Sequence, residues 1–176
     1  MSKLKSPEPA KLISSIFSAD RDLLGEILGE LSEKYGRTDF ISEFIPFYYT
    51  DYYTREMGKS LVRRFISFEN LVRPESLPGI KIFTNSLEEK YSKNDNRRVN
   101  IDPGYISKHN LILATGKNYT HRPYLGDGIY ADLTLIYRNK TFQPLEWTYP
   151  DYAEKNVTEM FNRIREKYLA QLKQEL

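Results

Sequence analysis

Ala10-Lys11-Leu12-Ile13-Ser14-Ser15-Ile16-Phe17-Ser18 is followed by apolar residues at helical spacing, Leu24, Ile27, Leu28, Leu31 and Tyr35. The chain therefore opens as a strand and then a helix over about 20–35. Ser18 or Asp20 can cap that helix, and Gly36 can stop it. Working outward, residues 38–49 and 60–71 read as strands, with Pro46 pointing to an edge or a bulge. A second helix is expected over 76–92, with Ile80, Phe83, Leu87 and Tyr91 on one stripe. Residues 92–98 are loop by composition, and a short strand at 99–101 is expected to enter a turn at Asp102-Pro103-Gly104. Strands follow at 111–114 and 128–137, the second with Ile129, Ala131, Leu133 and Leu135 on one face and Tyr130, Asp132 and Thr134 on the other. Arg138-Asn139-Lys140 can close a hairpin onto Thr141-Phe142. Pro150 opens a last helix over 151–172, buried through Val157, Met160, Phe161, Ile164 and Tyr168.

The pattern predicts an α+β protein. It is expected to be a single domain over 1–176 with a flexible N-terminus at 1–9, a mixed sheet and three helices. The order β-α-β-β-α-β is that of a ferredoxin-like split βαβ core, here with a C-terminal strand-and-helix extension.

Composition excludes several chemistries. There is no cysteine, so there are no disulfides, no thiolate nucleophile and no Cys-ligated zinc. His109 and His121 are the only histidines, too few for a histidine-rich metal centre. No metal or other cofactor is expected. The 26 basic and 24 acidic residues give a net charge of +2, which argues against a dedicated nucleic-acid binder. No run approaches the ~20 apolar residues of a membrane span, so the expected setting is the cytoplasm.

The densest polar chemistry lies in Lys117-Asn-Tyr-Thr-His121-Arg122-Pro-Tyr-Leu-Gly-Asp127-Gly-Ile-Tyr-Ala-Asp132. His121 can act as an acid or base, and Asp127 and Asp132 can orient it or hold a divalent cation; His121 and Asp127 are the candidate catalytic pair. Arg122 or Lys117 can hold an anion. Asp102, Tyr105, Lys117, His121, Arg122 and Asp132 form the candidate ligand-binding set, on the expectation that the Asp102 loop meets the His121 loop. The other view of these loops is ordinary turn chemistry at Asp102-Pro-Gly and Asp127-Gly128. Gly58-Lys59-Ser60 resembles the end of a phosphate-binding loop, but Tyr53 stands where that loop needs its first glycine. It is expected to bind no nucleotide phosphate. Tyr48-Tyr49-Thr50-Asp51-Tyr52-Tyr53 can stack bases beside Arg55, Lys59, Arg63 and Arg64, or serve as a protein-contact surface. Trp147, just before Pro150, reads as a plug that anchors the last helix.

Four segments carry a family resemblance: Pro46-Phe47 through Tyr53 with Glu56-Met57-Gly58, Asp102-Pro-Gly-Tyr-Ile106, His121 through Asp132, and Trp147-Thr-Tyr-Pro-Asp-Tyr152. Together they resemble an uncharacterised bacterial family, domain-of-unknown-function family 4416. Members sometimes carry a GTP-binding label, which Gly58-Lys59-Ser60 does not support. The resemblance implies no activity and no catalytic residues. The leading expectation is a pocket for an anionic, nucleotide-like small molecule. The alternative is a non-enzymatic interaction module using the tyrosine-rich surface, with RNA binding behind both.

Overall fold

The computed structural model describes residues 1–174. Nine strands form one sheet: β1 Ala10–Ser18, β2 Thr38–Ile41, β3 Ile45–Pro46, β4 Val62–Val72, β5 Val99–Ile106, β6 Asn110–Thr115, β7 Tyr124–Gly126, β8 Ile129–Arg138 and β9 Thr141–Pro144. The helices are α1 Arg21–Tyr35, α2 Thr54–Met57, α3 Leu77–Lys90, α4 Pro150–Ala153 and α5 Lys155–Gln174. The strand order is β2-β4-β1-β5-β6-β8-β7, with β3 on β4 and β9 on β8. Every pairing is antiparallel, so the sheet lacks the parallel pairs that a mixed sheet would contain. The α+β class is as expected.

All nine residues of β1 are buried, because the central strand is covered on both faces. Leu12 and Ile16 face α1 and α3, packing with Leu24, Ile27, Ile80 and Leu87. Ile13 points the other way, to α5, beside Phe161, Ile164 and Tyr168. Alternate side chains of a strand leave by opposite faces, so one apolar run serves two cores. Lys11 shares the α5 face without exposure, and its ammonium donates to Asp39 and Gln171. Asp20 caps α1, its carboxylate accepting from the N–H groups of Asp22 and Leu23 at 3.0 and 3.2 Å. Gly36 ends the helix at φ 93°, in the left-handed region that favours glycine. Among the described residues no helix is long and apolar enough to cross a membrane.

Three expectations are corrected. The strand drawn over 38–49 is two short edge pieces, β2 and β3, both on β4. The last helix is broken at Glu154, whose ψ of 140° is extended and separates α4 from α5. Asp102-Pro103-Gly104 is no turn, because β5 runs straight through it. Ile101 uses both its N–H and its C=O on the side away from β1, donating to Glu88 Oε1 at 2.6 Å and accepting from Lys81 Nζ at 3.0 Å, both on α3, so Pro103, two residues on, presents its missing N–H on that side too. No ladder bond is lost there. Gly104 is needed because a Cβ would stand 2.3 Å from the Ile112 carbonyl oxygen.

Candidate functional site

A bulge in β8 organises one end of the sheet. Leu111 pairs with Leu135 but Ile112 pairs with Leu133, so Thr134 is an extra residue. The expected four-residue apolar face therefore breaks. Leu133 stays with Ile129 and Ala131 beside Leu77, whereas Leu135 joins the α5 core. Asp132, opposite Leu113, faces the α5 side. The carbonyls at the bulge are taken by the segment before α4. Trp147 Nε1 donates to the Leu133 oxygen at 2.8 Å, and Thr148 Oγ1 donates to the Thr134 oxygen at 2.6 Å. Trp147 is thereby clasped to the sheet and stacks on His121, ring centroids 4.7 Å apart.

His121, Arg122 and Asp132 then meet with side chains only 8%, 9% and 8% exposed. Arg122 bonds through all three of its nitrogens: Nε donates to Asp132 Oδ2 at 2.9 Å, Nη1 to the Lys117 carbonyl and Nη2 to the Tyr149 hydroxyl, both at 3.2 Å. His121 Nε2 lies 3.2 Å from Asp132 Oδ1, an ion-pair distance, but off the line of a hydrogen bond. Neither ring nitrogen has a hydrogen-bond partner among the described residues. A cavity of about 670 Å³ opens against this group, lined by Tyr119, Thr120, His121, Arg122, Glu146, Trp147 and Tyr149. Tyr119 meets the imidazole edge-on at 5.7 Å.

The structure brings together part of the expected set. His121, Arg122 and Asp132 form one cluster. Asp127 is not in it: it is exposed at φ 53° in the turn between β7 and β8, and the carboxylate beside His121 is that of Asp132. Tyr105 leaves β5 by the opposite face and packs with Leu77 and Ile112. Lys117 is exposed; its backbone holds Arg122, and its ammonium lies 5.2 Å from the Tyr52 ring with no carboxylate partner among the described residues.

Asp102 shares the α5 face but does not touch His121. Its carboxylate accepts from Asn100 Nδ2 at 2.7 Å and pairs with Lys81 at 3.8 Å. Tyr149, held by Arg122, is within electrostatic reach of Tyr53, and so is Asp102. Burial, with Asp102 adding, pushes the Tyr53 phenol up to about 12, so it stays a hydrogen-bond donor at neutral pH.

The tyrosine run divides its work. Tyr48 and Tyr52 are 78% and 64% exposed, Tyr49 donates to Glu154, and Tyr53 packs edge-on against Phe17 at 5.0 Å. Arg63 and Arg64 leave by opposite faces: Arg63 is buried against Asp151, while Arg64 lies over Phe44. Gly58-Lys59-Ser60 is an exposed link from α2 into β4, with positive φ at Gly58 and Ser60. No helix opens there, as a phosphate-binding loop requires. Tyr119, Glu146 and Tyr149 were not singled out from the sequence as site residues. The available signal was that Trp147 and Tyr149 both stand just before the proline that opens α4.

The fold and the cleft define an antiparallel α+β protein with an aromatic site of mixed charge at one end of its sheet. The chain belongs to the family described as Domain of unknown function (DUF4416), whose model matches residues 8–168. No curated protein and no solved structure matches the chain.

Proposed function

We propose that the His121 cleft binds a small anionic molecule carrying a planar ring, of the nucleotide kind, in the cytoplasm. One observation carries this reading: a buried imidazole with neither nitrogen hydrogen-bonded, stacked on Trp147 at the wall of the cavity. Leaving a buried polar group unpaired costs about 1–3 kcal/mol, and a ligand oxygen bonded to His121 recovers that cost. Tyr119 and Tyr149, 64% and 53% exposed, offer faces for a planar ring. Arg122, already neutralised by Asp132, positions Tyr149 rather than the anion. The ligand's charge faces His121 and Lys117.

Trp147 is the only tryptophan, so its fluorescence reports on this cleft alone. Titration with adenosine and guanosine 5′-monophosphates is expected to give a saturable change. The His121→Ala variant, folded by circular dichroism, is expected to lose at least tenfold in affinity, about 1.4 kcal/mol. No response to either nucleotide, confirmed by calorimetry, overturns the proposal. The interaction-module reading rests on the exposed Tyr48 and Tyr52. It leads if no nucleotide binds.

A further inference from the structure

The walls of the His121 cavity carry one charge that no neighbour answers. Arg122 is neutralised by Asp132 and spends its remaining nitrogens on Lys117 and Tyr149. Glu146 lines the same cavity, and its carboxylate has no hydrogen bond and no ion pair among the described residues. Its backbone is nevertheless fixed. Glu146 and Trp147 are the central residues of a turn in which the Thr148 N–H donates to the Leu145 carbonyl at 3.0 Å and the Leu145 N–H donates to Thr148 Oγ1 at 2.8 Å. Trp147 and Thr148 pin that turn to the carbonyls of the β8 bulge. The bare carboxylate is thus presented from a rigid base, one residue from the ring that stacks on His121.

Two phenol rings share the lining with it, and one guanidinium ties both. Arg122 Nη2 donates to the Tyr149 hydroxyl at 3.2 Å, and its Cζ lies 5.8 Å from the centre of the Tyr119 ring. Thr120, between Tyr119 and His121 in the chain, adds a hydroxyl to the lining that has no partner among the described residues. Aromatic faces, an unanswered acceptor and a free hydroxyl therefore meet in one cavity.

Together they fit a planar ring whose edge donates. An ionised carboxylate only accepts, and its two oxygens can take two parallel N–H bonds. The matching edge is a ring N–H beside an exocyclic amino group. A ring carbonyl next to that N–H would accept from the Thr120 hydroxyl. Guanine and pterin both carry this edge. Hypoxanthine keeps the N–H and the carbonyl but lacks the amino group, and adenine sets a lone pair beside its amino group. Glu146 also repels an anion, so the ligand's negative group stands away from it, toward His121 and Lys117.

We propose that Glu146 is the specificity-determining residue of this cleft, taking the paired ring N–H and amino group of a guanine or pterin ring that stacks on Tyr119 or Tyr149. This rests on the cleft reading above and adds which ring the anion carries.

Guanosine, inosine and adenosine 5′-monophosphates and pterin-6-carboxylate are titrated into the wild-type chain by calorimetry. The inosine nucleotide differs from the guanosine one only by the missing amino group. It is expected to bind at least about tenfold more weakly, the scale of one hydrogen bond to a charged group. The adenosine nucleotide is expected to fall in the same weaker class. Glu146 is exposed, so Glu146→Gln is expected to keep the wild-type melting temperature and to erase the difference between guanosine and inosine nucleotides. Binding of the pterin acid alone, lost in Glu146→Gln, assigns the edge to a pteridine and removes the nucleotide. Equal affinity for the three nucleotides, all lost in His121→Ala, overturns the role of Glu146 and leaves the cleft reading standing. A guanosine preference that survives Glu146→Gln also overturns that role. Silence from all four ligands overturns both.

Discussion

Glu88 shows how α3 completes a sheet edge at an electrostatic cost. Its side chain is 10% exposed, and burial is the largest influence on it, raising its carboxyl above the ordinary 4.5 against the pull of Lys81, the Ile101 N–H and Arg97. A raised acid binds its proton more tightly folded than unfolded. Stability therefore falls as pH rises through the window from 4.5 to the raised value, and at neutral pH the ionised form is held at a net cost. Glu88→Gln keeps an acceptor for Ile101 and removes the buried charge. Its melting temperature at pH 7 is expected to match or exceed wild type. Glu88→Ala strands the N–H and should lose about 1–3 kcal/mol in urea unfolding. Equal losses in both variants would show that the charge itself stabilises the edge.

Periodicity was enough for the elements whose environment is regular. Ala10–Ser18, Arg21–Tyr35 and Val62–Val72 all lie close to their expected bounds. The hairpin between β8 and β9 was also legible, since Arg138-Asn139-Lys140 carries turn chemistry. Its two central residues, Asn139 and Lys140, have φ of 54° and 63°, as a two-residue primed turn requires. Lysine gains nothing from that conformation, so Lys140→Gly is expected to stabilise by about 0.5–1 kcal/mol, read as a higher urea midpoint. A lowered midpoint would mean that the Lys140 side chain makes a contribution larger than the backbone strain. What escaped was local chemistry overruled by neighbours. Asp102-Pro103-Gly104 has turn composition but sits in a strand, because β1 supplies partners on one side and the gap before β6 forgives the proline on the other. The bulge at Thr134 left no mark in the apolar pattern, since the partly buried Leu133 and the buried Leu135 are side chains of the same kind serving opposite faces.

The site was legible as a list of residue types but not as a constellation. His121, Arg122 and Asp132 are close in sequence and meet, whereas Trp147 and Tyr149 arrive from before α4. Their meeting depends on strand order and on the bulge, which no spacing encodes. The segment carrying Tyr52 and Tyr53 is tied to the rest of the molecule through Glu56. Its Oε1 accepts from the Arg97 N–H at 3.1 Å and from Arg97 Nε at 2.8 Å, and its Oε2 accepts from Nη2 at 2.8 Å. Those side-chain hydrogen bonds from Arg97 are the main reason the Glu56 carboxyl is held below its ordinary 4.5. Asp39 is also lowered, from 3.8: burial works against it, but hydrogen bonds from Lys11 and Ser67 and the charges of Lys11 and Lys167 outweigh it. A depressed acid contributes stability that is fully present above its unfolded value and is lost as pH falls through its folded value. Wild type is therefore expected to lose melting temperature as pH drops below about 4.5, with a shallower acid slope in Glu56→Gln and a lower starting point at pH 7. Hydrogen exchange should show the backbone of residues 51–60 opening before the central strand β1, because that mostly exposed segment is tethered by one partly exposed ion pair while β1 is buried on both faces. If Glu56→Gln kept the wild-type acid slope and the wild-type exchange of that segment, the Arg97 tether would not be what holds Tyr52 and Tyr53 at the cleft.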